Sequence, residues 1–334
     1  MDRIYVQTNG AEQNDVIAFE RDSDGKLTQL GRFETGGRGS GVPHLASQGS
    51  LALDGGRLLV TNAGSDELSL FRVTAEGLEL AARAPSGGSA PTSVAVHGDF
   101  AYVLNNGSPG IAGFSLAGDS LQPIDGSEGA LAAGSDPAQV AFSPDGRVLV
   151  VTERGTNAIS TFMVDERGLV EAPQTIASSG ATPYGFDFAG DVLVVTEAFG
   201  GETGAAAASS YSLSGGRLQP VSASVGDTRS EVCWAAAARD GRFVYVTNFG
   251  DGTISSYAVR DDGSIALADA VAASTRLGEK GVRDEAITGD GRFLYALDAD
   301  VQRIYGWSVG DDGSLSPVGD ADGLPETVAG LAAS

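Results

Sequence analysis

One short strand pattern recurs seven times along the chain, and this recurrence constrains the fold more than any other feature. It reads Ile4-Tyr5-Val6-Gln7-Thr8-Asn9, Leu58-Leu59-Val60-Thr61-Asn62 and Ala101-Tyr102-Val103-Leu104-Asn105. It returns as Val148-Leu149-Val150-Val151-Thr152-Glu153 and Val192-Leu193-Val194-Val195-Thr196-Glu197. The last copies are Val244-Tyr245-Val246-Thr247-Asn248 and Leu294-Tyr295-Ala296-Leu297-Asp298. Each copy ends on a polar anchor. The anchors are spaced 53, 43, 48, 44, 51 and 50 residues apart, a period that marks repeat architectures.

Around each copy the sequence spells three more strands. A short apolar run precedes it, such as Gln139-Val140-Ala141-Phe142, and a tight turn joins the two, as in Ser143-Pro144-Asp145-Gly146 or Arg239-Asp240-Gly241. Asp-Gly supplies the positive φ that such turns need. A third strand follows, for example Thr253 to Val259. A second turn then recurs as Ser23-Asp24-Gly25, Ala75-Glu76-Gly77, Glu166-Arg167-Gly168, Asp261-Asp262-Gly263 and Asp311-Asp312-Gly313, before a fourth strand such as Leu267 to Ala272. Strands of this length with frequent turn signals and no helical period read as all-β. Four-strand units repeated around an axis are the blades of a propeller.

The expected fold is therefore an all-β, seven-bladed β-propeller with four antiparallel strands per blade. At 334 residues the length alone would suggest two domains. The unbroken repeats predict instead one propeller spanning 1–334. The first unit starts at its second strand, and the C-terminus carries a spare strand, Glu326-Thr327-Val328-Ala329-Gly330-Leu331-Ala332. Blade one is thus expected from 2–35 plus 326–334, with Thr327 to Ala332 as its innermost strand, which would satisfy edges otherwise left exposed. The low-complexity stretch Gly200 to Ser210 reads as a long loop.

Charge narrows the partners. The net charge is −23, from 44 acids against 21 bases, so nothing can neutralise a row of phosphates, and nucleic acid or an anionic membrane surface is disfavoured. No apolar run is long enough to span a bilayer, and the N-terminus lacks a signal-peptide layout. One cysteine makes no internal disulfide. A cytoplasmic location is the expectation.

The Ser-Pro-Asp-Gly-Arg stretch at 143–147, the Asp-Gly-Arg repeats at 240–242 and 290–292, and the seven-fold count resemble the seven-bladed propeller lactonase family. That family contains 6-phosphogluconolactonase-type enzymes and fungal-type carboxymuconate cyclases, and the resemblance covers essentially the whole chain. It implies a site built from four elements. Two are retained: the Glu ending the second strand of blade five, as Glu197, and the Arg opening the innermost strand of blade seven, as Arg283. Two differ: the family's His after Pro137 is Ala138, and its Arg-His pair in blade five is replaced within Pro183-Tyr184-Gly185-Phe186.

Read from the residues themselves, the anchors form a polar ring on the face over the axis, with Asn62, Asn105, Asn248 and Asp298 as candidate ligand-binding groups. Asn and Asp at strand ends also simply start turns. Glu153 and Glu197 depart from that habit and occupy equivalent places in adjacent blades. They suit two acids flanking a small ligand, or two solvated rim acids with Arg154 as partner. A lactone hydrolase needs a base to activate water and donors for an oxyanion. Glu197 is the first candidate base, with Glu153 beside it and Arg283 as donor, although Arg283-Asp284-Glu285 also reads as a self-paired cluster. His44, in the loop entering blade two, is a second acid–base candidate. Cys233 with His44 allows a Cys–His nucleophile, or is a small buried hydrophobe. Tyr184 and Trp234 are candidate pocket walls or plain blade packing. With so many acids expected on this face, a phosphate-bearing lactone is expected to be a poor substrate.

No zinc spacing exists, and no redox cofactor is implied. Carboxylates and amides over the axis leave a bound calcium as a minor alternative. The expected function is cofactor-free hydrolysis of a small lactone. The alternative is a non-catalytic propeller that binds a small metabolite or a protein on the same face.

Overall fold

The computed structural model describes residues 2–334 and shows a ring of seven antiparallel sheets. Blade one combines the C-terminal strand Ala329–Ala333 with Arg3–Gln7, Asp15–Arg21 and Leu27–Glu34, in that spatial order. The closing strand begins two residues later than Thr327, because Val328 N–H turns back to Pro325 O (3.1 Å). Blades four to seven repeat one plan, with innermost strands Pro137–Phe142, Pro183–Ala189, Val232–Ala237 and Val282–Ile287. Blade three splits its outer strand into Gln122–Pro123 and Gly129–Ala130. Helix is limited to two single 3₁₀ turns among the described residues.

The second strand of each blade is sandwiched between neighbouring blades on both faces. It is therefore apolar continuously rather than in alternation. Leu149, Val150 and Val151 are all fully buried, as are Leu58, Leu59 and Val60. One cluster joins Tyr102 and Leu104 of blade three to Leu149, Val151 and Phe162 of blade four. Each such side chain contributes about 1.5–3 kcal/mol on burial. The outermost strands, such as Leu27–Glu34, are half-exposed and mostly polar.

The recurring second turn also joins blades. Tyr102, Tyr245 and Tyr295 donate their hydroxyls to the carbonyls of Gly168, Gly313 and Gly25, each in the next blade (2.5, 2.9 and 2.6 Å). The last of these crosses the closure between blades seven and one. Gly25 has φ +87°, and a Cβ there would strike the Phe293 ring of blade seven, so glycine is required at this junction.

The segment expected to be a long loop at Gly200 to Ser210 is only partly one. Ala207–Ser214 is the third strand of blade five, with Ala207 to Ser210 buried. Small residues fit there because both faces of this strand are covered by neighbouring blades.

Candidate functional site

Five innermost strands carry a bulge directly after their first residue, between Pro91 and Ser93, Pro137 and Gln139, Pro183 and Phe186, Val232 and Ala235, and Val282 and Glu285. Bulges re-aim side chains. In blades five, six and seven the re-aimed residues are Tyr184, Cys233 and Arg283, and all three line one cleft of about 540 Å³ over the axis. Two further repeated positions complete that wall. The residue before each strand has a left-handed backbone in Asp136 (φ 44°), Thr182 (φ 56°) and Glu231 (φ 55°). Its carbonyl accepts from the residue after each anchor: Arg154 N (3.2 Å), Ala198 N (3.0 Å) and Phe249 N (3.0 Å). All six of these residues also line the cleft. From the other side, the loop entering blade two contributes His44 and Ala46.

His44 has φ 48°, an uncommon conformation for a residue with a side chain. Its Nδ1 lies 2.6 Å from Leu45 O. A carbonyl only accepts, so Nδ1 carries the proton and Nε2 keeps the lone pair. Burial, then the charge of Arg283, lowers its pKa to about 4, with a smaller effect from Arg154. His44 is therefore neutral at pH 7.

Most charges in the cleft are paired. Arg154 Nη2 meets Asp136 Oδ1 at 2.7 Å, and its Nη1 donates to the Tyr184 hydroxyl at 2.9 Å. Glu231 meets Lys280 at 2.6 Å. Arg283 is the exception. Its nearest carboxylate, Asp300, is 3.9 Å away. Its Nε is buried without a hydrogen-bond partner, and its guanidinium lies 4.0 Å over the Phe249 ring. Its side chain is only 11 % exposed, and burial lowers its pKa. A cation so placed favours an anion or a developing oxyanion.

Cys233 fits the small buried hydrophobe better than the nucleophile. Burial pushes its thiol up to about 12, and only the thiolate attacks.

The anchor ring is not part of this cleft, which corrects six of the expected site residues. Glu197 is fully buried inside blade five and accepts from Gly180 N (2.7 Å), Ser209 Oγ (2.6 Å) and Ser224 Oγ (2.7 Å). Glu153 is 1 % exposed and accepts from Ser160 and Thr156. Neither is a rim acid, and Glu153 is not the partner of Arg154. Asn62 donates to Ser69, Asn248 to Ser255, and Asn105 to Ser86 O. Asp298 is held by Arg276 and Thr275. The physical reason is common to all six: the second strand is covered on both faces, and its polar end must find partners in its own blade or in the neighbouring blade and the connection from it. A sequence signal for this exists: Asn62, Glu153 and Asn248 each have a serine seven residues on, in the middle of the third strand.

Trp234 is likewise fully buried beneath Tyr184, with ring centroids 5.0 Å apart, and donates Nε1–H to Asp284 Oδ1 (2.8 Å). Arg283, Asp284 and Glu285 are not a self-paired cluster. Arg283 faces the cleft, Asp284 binds Trp234 and Gly330 N, and Glu285 faces a channel along the axis. None of the acids expected to repel phosphate lines the cleft, whose own carboxylates are Asp136 and Glu231. The cleft thus unites His44, Arg154, Tyr184, Cys233 and Arg283 from the sequence reading. Phe249, Thr182 and Glu231 were not singled out there, because their positions matter only through the bulge and the turn.

A family model described as "Lactonase, 7-bladed beta-propeller" matches residues 42–201 and 195–327. Among solved structures, a functionally unknown protein from Desulfotomaculum acetoxidans is similar at 16 % identity and TM-score 0.76, covering 99 % of this chain and 98 % of its own. The periplasmic gluconolactonase of Pseudomonas aeruginosa is similar at 18 % identity and TM-score 0.72, with 99 % and 98 % covered. A Bacteroides fragilis protein whose name as a 6-phosphogluconolactonase is itself provisional gives 17 % identity and TM-score 0.72, with 100 % and 98 % covered. At these identities the likeness concerns the fold. Comparison with curated proteins gives no significant match.

Proposed function

This chain belongs to the seven-bladed β-propeller lactonase family, and from that premise we propose that it hydrolyses a small lactone in the cleft between His44 and Arg283. The observation that carries the reading is the presence in one cleft of a buried guanidinium whose Nε lacks a hydrogen-bond partner and whose nearest carboxylate is 3.9 Å away, together with a neutral imidazole. The lactone carbonyl points at Arg283, and the ring rests against Tyr184 and Phe249. His44 Nε2 takes a proton from water as the water oxygen bonds to the carbonyl carbon. Arg283 holds the resulting oxyanion. The intermediate collapses, the ring C–O bond breaks, and the imidazolium returns its proton to the departing alkoxide, giving the hydroxy acid.

The low pKa of His44 suits the return of the proton more than its uptake, because a weaker base takes a proton from water less readily. The residue is fully deprotonated at neutral pH. Its imidazolium is disfavoured beside Arg283 until the oxyanion balances that charge, and so it gives the proton up readily.

A second reading, a propeller that binds a small anionic metabolite without turning it over, is favoured by Ala138 and by Tyr184-Gly185, which stand where the family places His and Arg-His. A pH-indicator assay over a lactone panel separates the two. The wild type should hydrolyse at least one lactone, and His44→Gln and Arg283→Gln should each lower kcat by about 10²-fold or more. No turnover of any lactone, with tight binding of a hydroxy acid, selects the second reading.

A further inference from the structure

Two junctions of the cleft wall each carry one arginine and one aromatic ring, in opposite order. Between blades four and five, Arg154 follows the anchor and Tyr184 sits in the bulge, with the guanidinium 4.7 Å from the ring centroid. Between blades six and seven, Phe249 follows the anchor and Arg283 sits in the bulge, at 4.0 Å. The junction between them has Ala198 and Cys233 in these places, so it holds no such pair.

The two arginines are held differently. Arg154 donates to the Asp136 carboxylate (2.7 Å) and to the Tyr184 hydroxyl (2.9 Å). In blade six the residue that corresponds to Asp136 is Glu231, and Lys280 occupies it at 2.6 Å. Arg283 has no carboxylate nearer than Asp300 at 3.9 Å and no partner for Nε. Its aromatic partner is Phe rather than Tyr, so the ring offers no hydroxyl.

The Phe249 face is the contact left to fix this guanidinium. An aromatic face attracts a cation through its quadrupole, yet it carries no net charge and takes up no N–H donor. A carboxylate in contact would hold the guanidinium while cancelling its charge. We propose that Phe249 is the positioning residue for Arg283: its ring keeps the guanidinium in the cleft and away from Asp300, so that its charge and Nη donors serve an anion bound there. The kinetic consequence rests on the lactonase reading, because a misplacement of about 1 Å can cost up to about 10²-fold in rate.

The test uses the full chain with Phe249→Leu, Phe249→Tyr, Arg283→Gln and His97→Gln. The chain has two histidines, so two imidazole signals are followed by NMR against pH, and His97→Gln assigns them. Burial, then the charge of Arg283, lowers the His44 pKa to about 4, with a smaller effect from Arg154. Arg283→Gln should raise that pKa. Phe249→Leu should raise it toward the same value, as Arg283 swings to Asp300 and its charge is cancelled. Arg154 stays tied to Asp136 and Tyr184 throughout. Phe249→Tyr keeps the ring and should bring the pKa back toward wild type. With the lactone that the wild type hydrolyses fastest, Phe249→Leu should lower kcat about 10-fold with little change in KM, and Phe249→Tyr should recover most of the loss. Phe249 is half-buried, and leucine keeps an apolar side chain there, so the variant should fold; its melting temperature is read beside wild type. A His44 pKa equal in wild type and Phe249→Leu overturns the proposal, whether or not Arg283→Gln moves it. So does a Phe249→Leu protein that raises KM alone, which would make the ring a substrate wall. The titration needs no substrate, so a wild type that hydrolyses no lactone refutes the function while His44 still decides the role of Phe249.

Discussion

Replacing Glu197 distinguishes an anchor from a base. Its carboxylate satisfies three donors, Gly180 N, Ser209 Oγ and Ser224 Oγ, and is fully buried. Glu197→Ala strands all three, at about 1–3 kcal/mol for each unsatisfied group, so a total of about 3–6 kcal/mol is expected after partial relaxation. With an unfolding entropy of about 2.1 cal/mol/K per residue, a chain of 334 residues has about 0.7 kcal/mol/K. The melting temperature should therefore fall by about 4–9 °C. Glu197→Gln is milder. Its carbonyl can keep the Gly180 and Ser209 bonds, and its NH₂ can donate to Ser224, whose hydroxyl turns to accept. Only charge assistance is lost, about 1–2 kcal/mol, or roughly 1.5–3 °C. Thermal unfolding and lactone turnover per folded molecule should be measured on the same samples. Turnover should stay within a few-fold of wild type in both variants. A Glu197→Gln protein that melts like wild type but loses 10²-fold in kcat would refute the reasoning and return Glu197 to the role of base.

The pH profile gives a second check. A base with a pKa of about 4 is active across neutral pH and fails only as pH drops through about 4, where His44 gains its proton. An acidic limb near 6.5, the ordinary histidine value, would exclude His44 as described. Closure gives a third. Deleting 325–334 removes the strand that pairs with Arg3–Gln7 and uncovers Ile4 and Tyr5, so soluble expression should be lost. A truncated chain with an unchanged melting temperature would show that blade one stands without it.

Seven copies of one strand, their Asp-Gly turns and the spare C-terminal strand were legible as a closed ring because turn chemistry and strand hydrophobicity are local properties. So were five residues of the cleft, His44, Arg154, Tyr184, Cys233 and Arg283, which sit in loops or at the bulged start of innermost strands. The direction of a polar side chain at a strand end is not local. Val-Leu-Val-Val-Thr-Glu at 148–153 and at 192–197 gives no sign that both glutamates turn inward to serines of their own blades. Arg283, Asp284 and Glu285 are adjacent in sequence, yet a bulge and strand alternation send them to the cleft, to Trp234 and to the axial channel. Those destinations exist only once neighbouring blades cover both faces of every second strand and enclose the axis. Burial then decides that Glu197 must be hydrogen-bonded and that Arg283 is left with a charge to share.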